Sequence, residues 1–207
     1  AYICKAISSE ILETRDFETF ELRPLQGSAA RNKGMALFPR SFDGDYLMIG
    51  RQDGESLYLL RSSDLNRWEH GELLARPEYA WELIQIGNCG SPIELEEGWL
   101  VLTHGVGAMR KYSIGALLLD RDDPSRVIGR TAVPLLSPSD EAREGYVPNV
   151  VYTCGALAHA GRLIMPYGVA DSSVSFASMD LAELLAMLSP PAGARSPLAQ
   201  DVEPIRD

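Results

Sequence analysis

The residue whose type and position best suit it for chemistry is His104, which lies at the polar end of a strand-like segment. Residues 90–106 contain a proline-initiated run, an acidic turn, an apolar stretch around Trp99 and then His104-Gly105. Because glycine carries no side chain, an imidazole at such a strand end can reach a ligand and serve as hydrogen-bond donor, acceptor or proton carrier. The alternative is a structural histidine whose ring bonds to the backbone, and the residues alone leave both interpretations open.

An acidic pair and three cysteines are the other candidates for chemistry. Glu141 and Glu144 either face a pocket as acid and base groups or lie in a solvated loop. Cys4, Cys89 and Cys154 are odd in number and widely spaced, which fits neither a disulfide framework nor a zinc site. We therefore expect buried free thiols in a reducing cytoplasm.

Composition excludes several classes of protein. The 207 residues are 45% apolar and 23% charged, which indicates one globular domain with a sizeable core. The net charge of −10 without a basic run argues against nucleic acid as a partner. No apolar run approaches the length of a membrane span, and the charged residues among the first twenty argue against a signal peptide. We therefore expect a cytoplasmic protein.

Short strand-like runs repeat three times along the chain. The units begin at Leu37, Ile93 and Val150, and each reads strand, turn, strand, loop, strand. Repeated units of several short strands are typical of propeller blades. The chain then holds about three and a half blades, fewer than closure requires, so we expect a fragment or a ring completed by another chain or segment. A β-sandwich with irregular spacing is the alternative.

One helix and a tail complete the predicted architecture. Residues 180–188 are rich in helix formers, with Asp180 as N-cap and Ser189-Pro190-Pro191 as the stop signal. The residues that follow lack apolar periodicity. We therefore predict an all-β fold with a short C-terminal helix, made of an incomplete propeller domain over residues 1–190 and a flexible tail over 191–207.

A series of short motifs follows in order along roughly residues 7–188. The motifs include Asn32-Lys33-Gly34, Gly44-Asp45-Tyr46 with Arg51, Ser63-Asp64-Leu65 with Trp68, Gly90-Ser91-Pro92-Ile93, Gly98-Trp99-Leu100, His104-Gly105-Val106, Gly145-Tyr146-Val147-Pro148-Asn149, and Tyr167-Gly168 with Asp171. Together they resemble glycoside hydrolase family 130, the inverting β-mannoside phosphorylases and related β-mannosidases. The resemblance implies a five-bladed β-propeller with a central active-site pocket, which agrees with the repeats.

The resemblance also implies which residues hold the two substrates. Lys33 and Arg51 match the family's basic phosphate ligands, and His104 matches the histidine near that phosphate. The matches to positions lining the sugar pocket are Tyr112, Tyr152 and Asp171. In such a phosphorylase inorganic phosphate attacks the β-mannoside from the face opposite the leaving sugar, so configuration inverts and α-mannose 1-phosphate is released. No metal or cofactor is implied beyond phosphate as co-substrate.

Each of these residues also has a plain structural interpretation. Lys33 and Arg51 can be surface charges, and Asp171 can be a turn aspartate that bonds its own backbone. Tyr112 and Tyr152 can pack as ordinary strand residues.

The resemblance further implies a general-acid aspartate upstream of residue 32. Residues 1–31 offer no counterpart, since Asp16 belongs to a strand end that echoes Asp64 and Leu65. We therefore expect the acid to lie upstream of Ala1. Little turnover is then expected if these 207 residues are the whole molecule.

Three functions remain open from the sequence. The first is a β-mannoside phosphorylase that acts on β-mannosyl oligosaccharides. The second is a family hydrolase in which carboxylates such as Glu144 activate water. The third is a non-catalytic sugar-binding propeller fragment. Retention of Lys33 and Arg51 favours phosphorolysis, because the family's hydrolases lack this basic cluster. A homo-oligomer is compatible with all three.

Overall fold

The described part of the chain is built almost entirely from antiparallel strands. The computed structural model describes residues 9–139 and 145–190. Strands β1 (Glu10–Glu13) and β2 (Glu21–Pro24) form a separate hairpin, and three larger sheets follow in chain order. The predicted all-β class is confirmed, and none of the sheets formed by these residues closes on itself.

The three sheets correspond to the three predicted units. The first contains β3 (Ala36–Leu37), β4 (Tyr46–Gly50), β5 (Leu57–Ser62) and β6 (Gly71–Ala75). The second contains β7 (Gln85–Asn88), β8 (Ile93–Glu94), β9 (Trp99–Val106), β10 (Tyr112–Leu119) and β11 (Val127–Thr131). The third contains β12 (Val151–Tyr152), β13 (Leu157–His159), β14 (Arg162–Val169) and β15 (Ser173–Asp180). Each predicted start falls within or directly before the first or second strand of its sheet.

The second sheet is the middle layer of the structure. Trp99 and Val101 on one face of β9 join a core cluster with Phe38 and Leu47 from the first sheet. Residues of the opposite face, such as Leu100, join a cluster with the third sheet. Since successive side chains of a strand point to opposite faces, β9 is covered on both sides and all eight of its residues are buried.

The predicted helix is present but shorter than expected. Helix α1 (Leu181–Ala186) begins after Asp180, whose carboxylate accepts hydrogen bonds from the Ala182 and Glu183 amides at 2.9 and 3.3 Å. The chain leaves the helix and forms β16 (Leu188–Ser189), which pairs with β11 and extends the second sheet. None of the described helices is long and apolar enough to cross a membrane.

Several sequence predictions fall on residues outside the described ranges. These residues are Ala1, Cys4, Glu141, Glu144 and the predicted tail. The burial of Cys4 and the two interpretations of the glutamate pair therefore stay predictions. The expectation of a general acid upstream of Ala1 also stays a prediction, since the described chain begins at residue 9.

Candidate active site

Strand ends from two sheets bring Arg51 and His104 into contact. Arg51 follows β4, and His104 lies near the end of β9, directly opposite Gly87 of β7. A Cβ atom at Gly87 would lie 2.7 Å from His104 Nε2 and 3.1 Å from Arg51 Nη1. The absence of a side chain at Gly87 therefore makes the room in which the guanidinium and the imidazole meet.

The His104 ring is enclosed by four side chains. Its Nε2 lies 3.4 Å from Arg51 Nη1, and its Nδ1 lies 3.6 Å from Cys89 Sγ. Tyr112 stacks on the ring with centroids 6.0 Å apart, and Tyr152 lies against it at 4.9 Å. Only 4% of the His104 surface is exposed, so these four side chains and the neighbouring strands enclose almost the whole ring.

The environment of His104 keeps the imidazole neutral. Burial is the main cause that lowers its pKa from 6.5 to about 4, and the Arg51 charge adds to this, while a hydrogen bond to the Asn88 backbone opposes it. Burial likewise raises the pKa of the Tyr152 hydroxyl to about 12. At neutral pH the His104 ring is therefore neutral and lies beside the fixed charge of Arg51.

Three of the predicted substrate residues line one groove of about 500 Å³ beside His104. Its walls are formed by Met109, Arg110, Tyr112, Val147, Pro148, Asn149, Val150, Tyr152 and Asp171. The aromatic rings of Tyr112 and Tyr152 thus face His104 on one side and contribute to the groove as well. An aromatic wall with a carboxylate at its edge suits a sugar ring and its hydroxyls.

Asp171 owes its place in the groove to a tight hairpin turn. Between β14 and β15, Ala170 and Asp171 have φ of 50° and 52°, and the Ser172 amide donates to the Val169 carbonyl at 2.9 Å. This is a type I′ turn, which requires positive φ at both central residues and which aspartate tolerates. The turn leaves the Asp171 side chain exposed at the groove.

Lys33 is not brought into this cluster by any direct contact among the described residues. Its neighbours along the chain are fixed, because Asn32 donates a side-chain hydrogen bond to the Gln52 carbonyl and Gly34 lies against the Arg51 stem. These contacts fix the residues on either side of Lys33, and its role as a phosphate ligand stays a prediction.

The two described cysteines differ in burial, and only one of them is buried as expected. Cys89 is a buried free thiol, as predicted, but its contact with His104 was not expected from the sequence. Cys154 is exposed, so the expectation of a buried thiol is wrong for it. It lies in the bend after β12, where the chain turns at the surface before β13. Among the described residues no three His, Cys, Asp or Glu side chains group as a metal site.

Comparison with known proteins assigns the family. The family model of glycoside hydrolase family 130, described as β-1,4-mannooligosaccharide phosphorylase, matches residues 2–189. This chain belongs to glycoside hydrolase family 130. Membership confirms the resemblance drawn from the motifs around Lys33, Arg51 and His104.

Within family 130, the chain is similar to several phosphorylases. A β-1,2-mannobiose phosphorylase from Listeria innocua is 35% identical over 191 residues, covering 88% of this chain and 53% of the relative. A β-1,4-mannooligosaccharide phosphorylase from Ruminococcus albus is 36% identical, covering 79% of this chain and 52% of the relative. The chain therefore spans about half the length of the curated relatives it matches.

Parts of two solved structures have a fold similar to that of this chain. The Listeria innocua enzyme in complex with β-1,2-mannobiose superimposes with a TM-score of 0.79 at 32% identity, covering 88% of this chain and 53% of that one. A glycosyl hydrolase from Bacteroides ovatus gives a TM-score of 0.68 at 19% identity, over 83% of this chain and 57% of that one. The second likeness is one of fold alone.

Proposed function

We propose that this chain forms part of a β-mannoside phosphorylase, which cleaves β-mannosyl oligosaccharides with inorganic phosphate and releases α-mannose 1-phosphate with inversion. The observation that carries the proposal is the Arg51–His104 contact at the edge of the groove lined by Tyr112, Tyr152 and Asp171. The names of the Listeria and Ruminococcus relatives support the same reaction.

The chemistry follows from the charges of the site. Phosphate is a dianion, and the fixed charge of Arg51 holds it by charge-assisted hydrogen bonds. Lys33 adds a second cation from the neighbouring loop. With phosphate bound at Arg51 and the mannosyl ring in the groove, the anion lies on one face of the ring and can displace the leaving sugar from the other. Tyr112 and Tyr152 bind the ring, and Asp171 accepts hydrogen bonds from its hydroxyls.

The leaving sugar requires a proton, and we propose that its donor in the intact enzyme is an aspartate upstream of Ala1. The groove carboxylate, Asp171, is exposed, and we assign it to hydrogen bonding with the hydroxyls of the sugar. We propose that the three sheets are three blades of a five-bladed ring. The other blades would come from segments that match the part of the relatives not covered by this chain. We also propose a cytoplasmic location.

The phosphate requirement tests this function. The full-length protein is incubated with β-1,2- and β-1,4-mannobiose, with and without inorganic phosphate. We expect α-mannose 1-phosphate and free mannose only when phosphate is present. Release of mannose without phosphate would show a hydrolase, and binding of the disaccharide with no product in either condition would show a sugar-binding module.

Replacement of Arg51 tests the proposed phosphate site directly. Loss of a charge-assisted hydrogen bond costs about 1.5–3 kcal/mol, so Arg51→Ala is expected to raise KM for phosphate about 10- to 100-fold. The matched control is Arg126→Ala, which removes an exposed arginine paired only with Asp120 among the described residues. An unchanged phosphate KM in the Arg51 variant would remove Arg51 from the site.

A further inference from the structure

We infer that Cys89 is a positioning residue for the phosphate site, because its sulfur holds the proton of His104 on Nδ1 and so leaves Nε2 to accept a hydrogen bond from Arg51. The catalytic consequence of this role rests on the proposed function, whereas the position of the proton stands independently of it.

The Arg51 side of the ring defines which nitrogen carries the proton. A guanidinium has five N–H donors and no acceptor, and its Nη1 lies 3.4 Å from His104 Nε2. A proton on Nε2 would set two N–H groups against each other. Nε2 therefore presents its lone pair to Arg51, and a neutral ring carries its hydrogen on Nδ1.

The opposite side of the ring supplies an acceptor. Cys89 Sγ lies 3.6 Å from Nδ1, and the imidazole also donates a hydrogen bond to the Asn88 backbone carbonyl, which raises the His104 pKa. Burial raises the pKa of the Cys89 thiol to about 12, so the sulfur is a neutral, weak acceptor. It stabilises the Nδ1–H form without drawing a second proton onto the ring, since the His104 pKa is about 4.

The position of Cys89 is fixed by the sheet. It directly follows β7, its amide donates to the Leu102 carbonyl at 2.8 Å, and its side chain is 2% exposed. Gly87, two residues earlier, leaves the space that Arg51 and His104 share. The segment from Gly87 to Cys89 thus leaves the space for the Arg51–His104 contact and also supplies the sulfur beside Nδ1.

The consequence for phosphate is a preoriented cation. When Nε2 accepts from Nη1, the plane of the Arg51 guanidinium is held, and its second terminal nitrogen remains for the anion. A partner on the far nitrogen of a histidine commonly fixes its tautomer in this way at metal sites, and the same logic applies to a histidine that orients an arginine.

Cys89 also belongs to a core cluster, so its contribution to packing must be separated from its contribution to the proton. Nitrogen-15 NMR of histidine-labelled protein reports the tautomer of each ring, and this chain contains three histidines, of which His70 and His159 are exposed references. We expect an Nδ1–H signature for His104 at neutral pH. An Nε2–H signature in the unmodified protein would overturn the inference.

Two variants complete the test on the full-length protein. Cys89→Ala removes the sulfur but leaves Arg51 and the Asn88 backbone beside the ring, so it is expected to lower the fraction of the Nδ1–H form and to raise KM for phosphate about 3- to 10-fold, with kcat at saturating phosphate unchanged. Cys89→Ser restores an acceptor and is expected to restore both the tautomer and KM. If Ala and Ser raise KM equally, or if the alanine variant keeps the Nδ1–H form, the role of Cys89 is packing alone.

The two proposals can fail separately. Absence of phosphorolysis in the unmodified protein would contradict the proposed function, yet the NMR assignment would still decide the proton position. Conversely, a phosphate-dependent enzyme with Nε2–H at His104 would keep the function and overturn only the role of Cys89.

Discussion

His104 is kept neutral by its surroundings, which makes the stability of the chain depend on pH. Burial lowers the pKa of its ring from the ordinary 6.5 to about 4 in the folded state. Protons therefore bind the unfolded chain more readily. The contribution of the neutral ring to the free energy of unfolding is fully present above about pH 6.5 and is lost as pH falls toward 4. The loss is on the order of 3 kcal/mol.

Urea denaturation at several pH values between 7.5 and 4 measures this effect. His104→Gln should reduce the loss of unfolding free energy across that window, because glutamine does not titrate. His159→Gln, which replaces an exposed histidine, is the control and should leave the profile as it is. If the profiles of the His104 variant and the unmodified chain run parallel, the ring is not kept neutral by burial.

Gly87 gives a second residue-level prediction. A methyl group there would overlap the His104 ring and lie 3.1 Å from Arg51 Nη1, so Gly87→Ala should separate the pair. We expect a loss of stability of about 1–3 kcal/mol and a phosphate KM raised at least as much as in the Cys89→Ala variant. In Gly168→Ala the nearest atom is 3.8 Å from the new carbon, so this strand glycine is the control.

Most of the residues that come together at this site could be identified from the sequence, but Gly87, which leaves the space for the Arg51–His104 contact, could not. Arg51, Tyr112, Tyr152 and Asp171 lie around His104 or in its groove, and the family resemblance had singled out all four. Gly87 was not singled out, because a glycine signals a need for space only once its neighbours across the sheet are known. The chemical roles assigned to all of these residues remain predictions.

At the scale of elements, a buried ion cluster ties the turn before β7 to strand β11. Arg130 of β11 pairs with Glu82, which is fully buried, and with Glu78 at 2.9 Å, and it also donates to the Arg76 carbonyl at 2.9 Å. Burial raises the pKa of Glu82 against the opposing effect of Arg130. The ionised form of the Glu82 carboxylate is therefore stabilised by Arg130.

Removal of one partner of this cluster should be far more damaging than removal of both. Arg130→Met is expected to lower the free energy of unfolding by about 3–5 kcal/mol, because it leaves Glu82 buried without its cation. The double variant Arg130→Met with Glu82→Met should recover part of that loss. Equal destabilisation by the single and double variants, measured by thermal and urea unfolding, would show that the pair is not coupled.

Strands β6 and β7 could not be predicted from the residue pattern. The repeat was found from glycine turns and aromatic strands, and it located the three sheets correctly. β6 is half exposed and β7 ends in Gly87-Asn88, so neither shows the alternation of a half-buried strand. Their pairing depends on the neighbouring strands, which local sequence does not encode.

At the scale of the whole molecule, the third sheet presents an apolar face to solvent. Val174 and Phe176 point to the same side of β15 and are each 73% exposed, and Leu157 of β13 is 60% exposed. The opposite face packs on the second sheet through residues such as Leu163. An apolar face on one side of a sheet is unusual for a soluble surface.

The exposed face should bind a hydrophobic dye. We expect the isolated 207-residue chain to enhance the fluorescence of anilinonaphthalene sulfonate at neutral pH, and the double variant Val174→Thr with Phe176→Ser to lower this signal at least twofold while keeping the melting temperature. Leu83→Ser removes a single exposed leucine elsewhere and should change little. A full signal in the double variant would mean that the dye binds another surface.

The complete burial of β9 has a consequence for motion. A strand covered on both faces is among the last parts of a protein to open, so its amides should exchange with deuterium only in global unfolding. His104 therefore lies on a strand that is expected to open late, whereas the groove rim contains Met109, Arg110 and Asp171 in left-handed backbone conformations. On the proposed function, rearrangement of these rim residues, rather than of the strand that carries His104, would limit the rate of turnover.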